Sequence, residues 1–233
     1  MPDQFLYQLL DGASDMNLLK KEIPDSIHLN LHPRYELRKY QIEAFARFIH
    51  CYNNEYPNKT FPLHFLFNMA TGSGKTLIMA GLILYLYEQG FRNFLFFVNS
   101  TNIIEKTKDN FLNPSSIKYL FNPDITIDNQ RVNVTSVPNF EGVNTHDINI
   151  CFTTIQKLHS DLTTQKENSL TFEDFRKHKI VLISDESHHM NVQTKAEMEL
   201  FESWENTVQH IFEQNRDNLL LEFTATHDFA TPA

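Results

Sequence analysis

The segment Asn68-Met69-Ala70-Thr71-Gly72-Ser73-Gly74-Lys75-Thr76 follows a short apolar run from His64 and precedes an apolar stretch from Leu77 to Tyr87. The pattern predicts a strand over 64–68, a tight turn, and a buried helix over 77–89 that stops at Gly90. A turn between a strand and a helix aims backbone N–H groups at an anion, and the helix dipole adds partial positive charge. Gly72 and Gly74 let the backbone approach a phosphate without a Cβ in the way. Glycine is scarce in this chain, at 6 residues of 233, and two of them sit in this turn. Thr71 to Thr76 is therefore a candidate phosphate loop. Lys75 reaches the β- and γ-phosphates of a nucleotide, and the Thr76 hydroxyl is suited to Mg²⁺. Met69 stands where the general G-x-x-x-x-G-K-[ST] pattern has its first glycine.

Working outward, apolar residues at 37, 40, 42, 45, 48, 49 and 52 recur at mostly helical spacing. A short helical pattern lies near Phe5–Leu10. Strands are expected at 94–98, 132–137, 148–152, 180–183 and 219–223. Helices are expected from a Ser100-Thr101 cap to about 112, from Thr153-Thr154 onward, and over about 195–214. Residues 113–147, with Pro114, Pro123 and Pro138, read as a loop-rich excursion around one strand. Apolar strands alternating with helices predict an α/β fold with a mostly parallel sheet covered by helices on both faces.

The run Ile180-Val181-Leu182-Ile183-Ser184-Asp185-Glu186 ends a second buried strand on two acids. Beside a phosphate loop, such a strand delivers Asp185 to the metal and Glu186 to the attacking water. A rival reading builds a metallohydrolase from Asp185, Glu186, His188 and His189, but the chain has no H-E-x-x-H motif.

With these motifs quoted, the chain resembles the first RecA-like lobe of superfamily 2 DEAD/DEAH-box helicases and translocases. Asp185-Glu186-Ser187-His188 stands where the DEAD/DEAH box belongs, with Ser187 in place of the usual Ala. Met69 ceases to be anomalous, since Met-Ala-Thr-Gly-x-Gly-Lys-Thr is common in the restriction-enzyme branch. Leu37-Arg38-Lys39-Tyr40-Gln41 is similar to the upstream element whose Gln reads the adenine edge, which makes Arg38 and Gln41 candidate nucleotide contacts. Thr224-Ala225-Thr226 is similar to motif III, which with His188 couples the ATP site to the DNA track. The strings Asp185–His189 and Leu221–Thr226 look most like the Res subunit of type III restriction enzymes. Ser100 and Thr101, and Thr153, Thr154 and Gln156, fall where the family contacts the sugar-phosphate backbone.

The resemblance implies a lead-in over 1–33 and a RecA-like P-loop NTPase domain over 34–233. It implies ATP and Mg²⁺ as cofactors and DNA as a partner. A second RecA-like lobe or subunit and a modification or specificity subunit complete the expected partners. The family's second lobe supplies arginines, so this chain is expected to bind ATP and to hydrolyse it poorly alone. Two other readings stay open: a nucleotide-binding remnant or interaction module without motor activity, and a P-loop ATPase with no nucleic-acid role.

Composition bounds these expectations. The net charge of −9 disfavours a broad basic surface for nucleic acid and leaves room for a narrow phosphate-contacting groove. The longest apolar run, eleven residues from Leu77 to Tyr87, is short of the ~20 that a membrane span needs. Cys51 and Cys151 form no CxxC pattern. Free thiols and an N-terminus without a basic region point to a cytoplasmic protein.

Overall fold

The computed structural model describes residues 6–56, 59–164, 169–185 and 195–225, the side chains of 195–202 lying outside that description. Along the chain the elements are α1 (Leu6–Asp15), α2 (Asp25–His28), α3 (Lys39–Asn53), β1 (Leu63–Asn68), α4 (Lys75–Glu88), β2 (Asn93–Val98), α5 (Thr101–Leu112), β3 (Thr126–Ile127), β4 (Gln130–Arg131), β5 (Val134–Ser136), β6 (Ile148–Thr154), α6 (Ile155–Thr163), α7 (Phe172–Lys177), β7 (Ile180–Asp185), α8 (Lys195–Phe212) and β8 (Leu219–Thr224).

Six strands pair in the order β1-β8-β7-β2-β6-β5, and every pairing is parallel. Side chains alternate between the faces of a strand, so a strand buried on both faces must be apolar at every position. β2 shows this directly. Phe94, Phe96 and Val98 enter one apolar cluster, and Leu95 and Phe97 enter the other. β7 splits likewise, with Val181 and Ile183 on the first face and Ile180 and Leu182 on the second. Residues of α2, α3, α4 and α5 cover the first face, and residues of α6, α7 and α8 cover the second. The expected architecture, a parallel sheet between two helical layers, is the one observed.

α4 is apolar all round because it is buried all round. Every residue from Leu77 to Tyr87 is buried. Gly81 lies in its middle, where a glycine costs about 1 kcal/mol of helix propensity. A Cβ there would stand 2.4 Å from Phe45 Cζ and 3.2 Å from Ile27 Cγ2, so the glycine is what lets α3 and α2 approach. Residues ahead of position 34 share this core: Leu10, Leu19, Ile27 and Leu31 are all buried in it.

Several local expectations need correction. The strand expected at 132–137 is limited to Val134–Ser136, and residues 126–131 form the β3–β4 hairpin instead. Asp128 and Asn129 both take positive φ there, 53° and 60°, which supplies a two-residue hairpin turn without glycine. α7 was not expected. It is short, and its start signal is Thr171 with Asp174, whose carboxylate accepts the Thr171 N–H at 2.8 Å. The helix expected to reach about 214 ends at Phe212. Among the described residues no helix is long and apolar enough to cross a membrane.

Candidate nucleotide site

In parallel α/β sheets, ligands bind at the carboxyl ends of the strands. The sequence-derived candidates gather at that edge. The phosphate loop follows β1, Thr224 ends β8, Asp185 ends β7, Asn99-Ser100-Thr101 follows β2, and Thr153 and Thr154 end β6. The strand order sets these elements side by side. β8 lies between β1 and β7, with Asn68 opposite Thr224 and Phe223 opposite Asp185. Neighbouring strands are ~4.8 Å apart, so the loop strand and the Asp185 strand are about 10 Å apart with Thr224 between them. The Met69 N–H donates to the Thr224 carbonyl at 2.8 Å, which ties the chain just ahead of the loop to the end of β8.

The loop has the backbone that an anion cradle requires. Gly72 and Gly74 both adopt positive φ, 77° and 85°. Gly74 is the N-cap of α4, and its carbonyl accepts the Leu77 N–H at 3.0 Å. Among the described residues nothing lies within 4 Å of where a Gly72 Cβ would stand, so they leave the loop open on that side. Lys75 begins α4 and is buried, with Thr76 half-buried beside it. The Ser73 hydroxyl is buried and has no hydrogen-bond partner among the described residues. A buried orphan hydroxyl is costly unless a ligand or water meets it. An open, glycine-lined helix start with a lysine and an unsatisfied hydroxyl fits the polyphosphate of ATP. Thr76 and Asp185 offer hard oxygen donors of the kind Mg²⁺ takes.

α3 closes the loop from one side. The Gln41 side chain is 4% exposed. Its Oε1 accepts the Arg38 N–H at 2.9 Å, and its Nε2 donates to the Ser73 carbonyl at 3.0 Å. An amide has two donors and two acceptor lone pairs, so one N–H and one lone pair remain for a base edge. The Tyr40 hydroxyl also donates to the Ser73 carbonyl, at 2.8 Å, and accepts from Arg38 Nη1 at 3.1 Å. Tyr40 is a residue that sequence reasoning passed over. Its signal was its place between Arg38 and Gln41.

The candidates for nucleic-acid contact are arranged less uniformly. Thr154 is the N-cap of α6, and its hydroxyl accepts the Lys157 N–H at 3.1 Å. Thr153 is buried, and its hydroxyl donates to the Thr154 carbonyl. Ser100 sits at the N-cap of α5 with extended backbone, but its side chain makes no capping bond, contrary to the expected cap. Thr101 is exposed. Gln156, half-buried, donates to the Asn99 carbonyl at 3.4 Å and so links the β2 and β6 ends. Glu186, His188 and Thr226 lie outside the described residues, as does the His189 of the metallohydrolase reading. Among the described residues no group of three His, Cys, Asp or Glu side chains could hold a metal ion.

Residues 34–229 match the family model described as type III restriction enzyme, res subunit. The chain belongs to the Res subunit family of type III restriction enzymes. A probable type III restriction-modification enzyme HindVIP Res subunit from Haemophilus influenzae is 38% identical over 230 residues. That alignment covers 88% of this chain and 44% of the relative, so the chain spans less than half the length of the Res protein it matches. The UvsW helicase from bacteriophage T4 shares the fold, with a TM-score of 0.50 at 16% identity over 94% of this chain and 70% of that one. The fold and the family together make this Res-type chain a first RecA-like lobe.

Proposed function

We propose that this chain is the ATP-binding motor lobe of a restriction-type DNA helicase or translocase, coupling ATP hydrolysis to tracking along DNA. The observation that carries the reading is the layout of the carboxyl edge. β1, which feeds the phosphate loop, lies beside β8, which ends at Thr224, and β8 lies beside β7, which ends at Asp185; the Met69 N–H, just ahead of the loop, donates to the Thr224 carbonyl. The next two strands carry the segments after Val98 and Thr154 along the same edge, which supports assigning nucleotide and DNA to adjoining halves of it.

In this reading the loop amides and Lys75 hold the β- and γ-phosphates, and Thr76 and Asp185 hold Mg²⁺. The ion neutralises charge on the phosphates, as in other P-loop enzymes. Arg38 and Gln41 hold the base side of the nucleotide. Glu186 orients the attacking water and takes its proton. Thr224, Thr226 and His188 relay the state of the phosphate site to the DNA side. DNA is met by Ser100, Thr101 and Gln156 and by the first-turn amides of α5 and α6, with Thr153 and Thr154 shaping that turn. Such contacts need little net positive charge, which accords with a chain of charge −9.

The test compares the wild-type chain with Lys75→Ala in ATP binding and DNA-stimulated ATP turnover. Loss of both in the variant, with the fold retained, is the expected result. ATP binding unchanged by Lys75→Ala, or DNA binding indifferent to ATP in both proteins, removes the motor reading and leaves an interaction module. Tested as these 233 residues, turnover is expected to be slow, because the arginines assigned to a second RecA-like lobe would come from outside them. Full DNA-stimulated turnover by this chain alone overturns that part. A restriction-type modification or specificity subunit is the further partner that the family suggests.

A further inference from the structure

Two side chains of α3 converge on one backbone oxygen. The Ser73 carbonyl accepts the Tyr40 O–H at 2.8 Å and the Gln41 Nε2–H at 3.0 Å. Arg38 Nη1 donates to the same Tyr40 oxygen at 3.1 Å, which occupies a lone pair and leaves the phenolic proton directed at Ser73. A donor that is itself hydrogen-bonded to a cation donates more strongly. The Ser73–Gly74 peptide is trans, so its N–H points opposite to its C=O. Turning the carbonyl toward α3 therefore turns the Gly74 N–H away from α3. This peptide turns through ψ of Ser73 and φ of Gly74, and a glycine, here at φ 85°, accepts either sign of φ, so the peptide is freer to flip than one followed by a residue with a side chain.

We propose that Tyr40 is a positioning residue that locks the Ser73–Gly74 peptide against flipping, so that the Gly74 N–H faces the polyphosphate. The proposal rests on the nucleotide site above and adds to it a residue outside the cradle itself. A flipped peptide would present the Ser73 carbonyl oxygen to phosphate oxygens and repel them. Gln41 alone would hold the carbonyl with one neutral bond, whereas Tyr40 adds a second, charge-relayed one. The lock acts on the phosphate cradle and not on the base, which separates it from any contact of Arg38 or Gln41 with adenine.

The experiment measures binding of MgATP, tripolyphosphate and adenosine to the full chain and to Tyr40→Phe, with a thermal melt of each protein. Tyr40→Phe removes one hydroxyl from a residue that is 42% exposed, so the melt is expected to stay within a few degrees. Affinity for MgATP and for tripolyphosphate is expected to fall by a similar factor, roughly three- to tenfold for one lost hydrogen bond, with adenosine unchanged. Weakened ATP with unchanged tripolyphosphate would show a base contact and overturn the proposal. Equal affinities in the two proteins overturn it as well, while leaving the nucleotide site standing. Binding of all three ligands weakened alongside a large fall in Tm shows a general structural role and also overturns it. A wild-type chain that binds neither ATP nor tripolyphosphate brings down the nucleotide reading, and this proposal with it.

Discussion

A methyl group on Gly74 would stand 2.6 Å from Gln41 Nε2, so the phosphate loop and the first turn of α3 meet where only a hydrogen fits. Gly74 also needs φ near 85°, a region that costs an L-residue about 1–2 kcal/mol. Gly74→Ala must therefore strain the backbone and displace Gln41 at once. The expected outcome is a loss of ATP affinity of at least about tenfold with the fold kept, read by nucleotide titration and a thermal melt. Gln41→Ala in the same background removes the collision and not the strain. It should recover part of the Tm and little of the affinity. An ATP affinity unchanged by Gly74→Ala would mean that the loop does not hold phosphate.

Gly81 offers a second steric test, this time of the core. In an exposed helix Gly→Ala stabilises by about 1 kcal/mol. Here the new methyl would lie 2.4 Å from Phe45 Cζ and 3.2 Å from Ile27 Cγ2, both in side chains with no exposed surface. Overpacking of this kind costs about 1–3 kcal/mol, so the sign of the effect reverses. Urea denaturation should show Gly81→Ala destabilised, and Phe45→Leu should partly relieve it in the double variant. Additive losses in the double variant would mean that the two residues do not press on one another. Because Ile27 belongs to the same contact, the result also measures how firmly the first 33 residues are joined to the core.

These two glycines mark what the sequence could and could not say. Gly74 was legible because its neighbours Gly72, Lys75 and Thr76 form a pattern with a chemical reason. Gly81 looked like one more small residue in an apolar run, since nothing local announces that Phe45 crosses there. The strands and their layers were legible for the same reason as the loop: β2 and β7 are continuously apolar, and burial on both faces demands that. The strand order was not. Whether β8 inserts between β1 and β7 depends on crossovers of the whole chain, and so the bond from Met69 to Thr224 could not be foreseen. The hairpin at 126–131 escaped because Asp128 and Asn129 supply the positive φ that glycine usually advertises. Tyr40 escaped because an aromatic at helical spacing reads as core, and its hydroxyl bond to Ser73 spans 33 positions.

Cys151 should behave as an inert core side chain. It is 4% exposed, and burial pushes its thiol up from an ordinary value near 9 to about 12. The thiolate is the reactive form, so the folded chain presents almost none of it near neutrality. Because the folded value is the raised one, burial of the neutral thiol contributes stability below pH 9, and that contribution is lost as pH rises from 9 toward 12. Labelling with a thiol reagent at pH 8 is expected to be slow at Cys151 and to accelerate sharply at the urea concentration where the fold melts. Rapid labelling in native buffer would contradict its placement on β6.

Asp185 provides the test of the metal. It ends β7 half-exposed, one strand from Thr224 and two from the strand that feeds the phosphate loop. If it holds Mg²⁺, its charge matters to nucleotide only when the ion is present. Asp185→Asn keeps the size and the strand, so Tm should change little. With Mg²⁺, ATP affinity and turnover should both fall in the variant, the turnover to the level reached when EDTA strips the ion from the wild type. In EDTA the two proteins should bind ATP alike, or the variant slightly more tightly, because a carboxylate near the γ-phosphate repels it when no cation intervenes. An Asp185→Asn variant that loses ATP binding equally with and without Mg²⁺ would assign the residue to the architecture of the strand end and not to the metal.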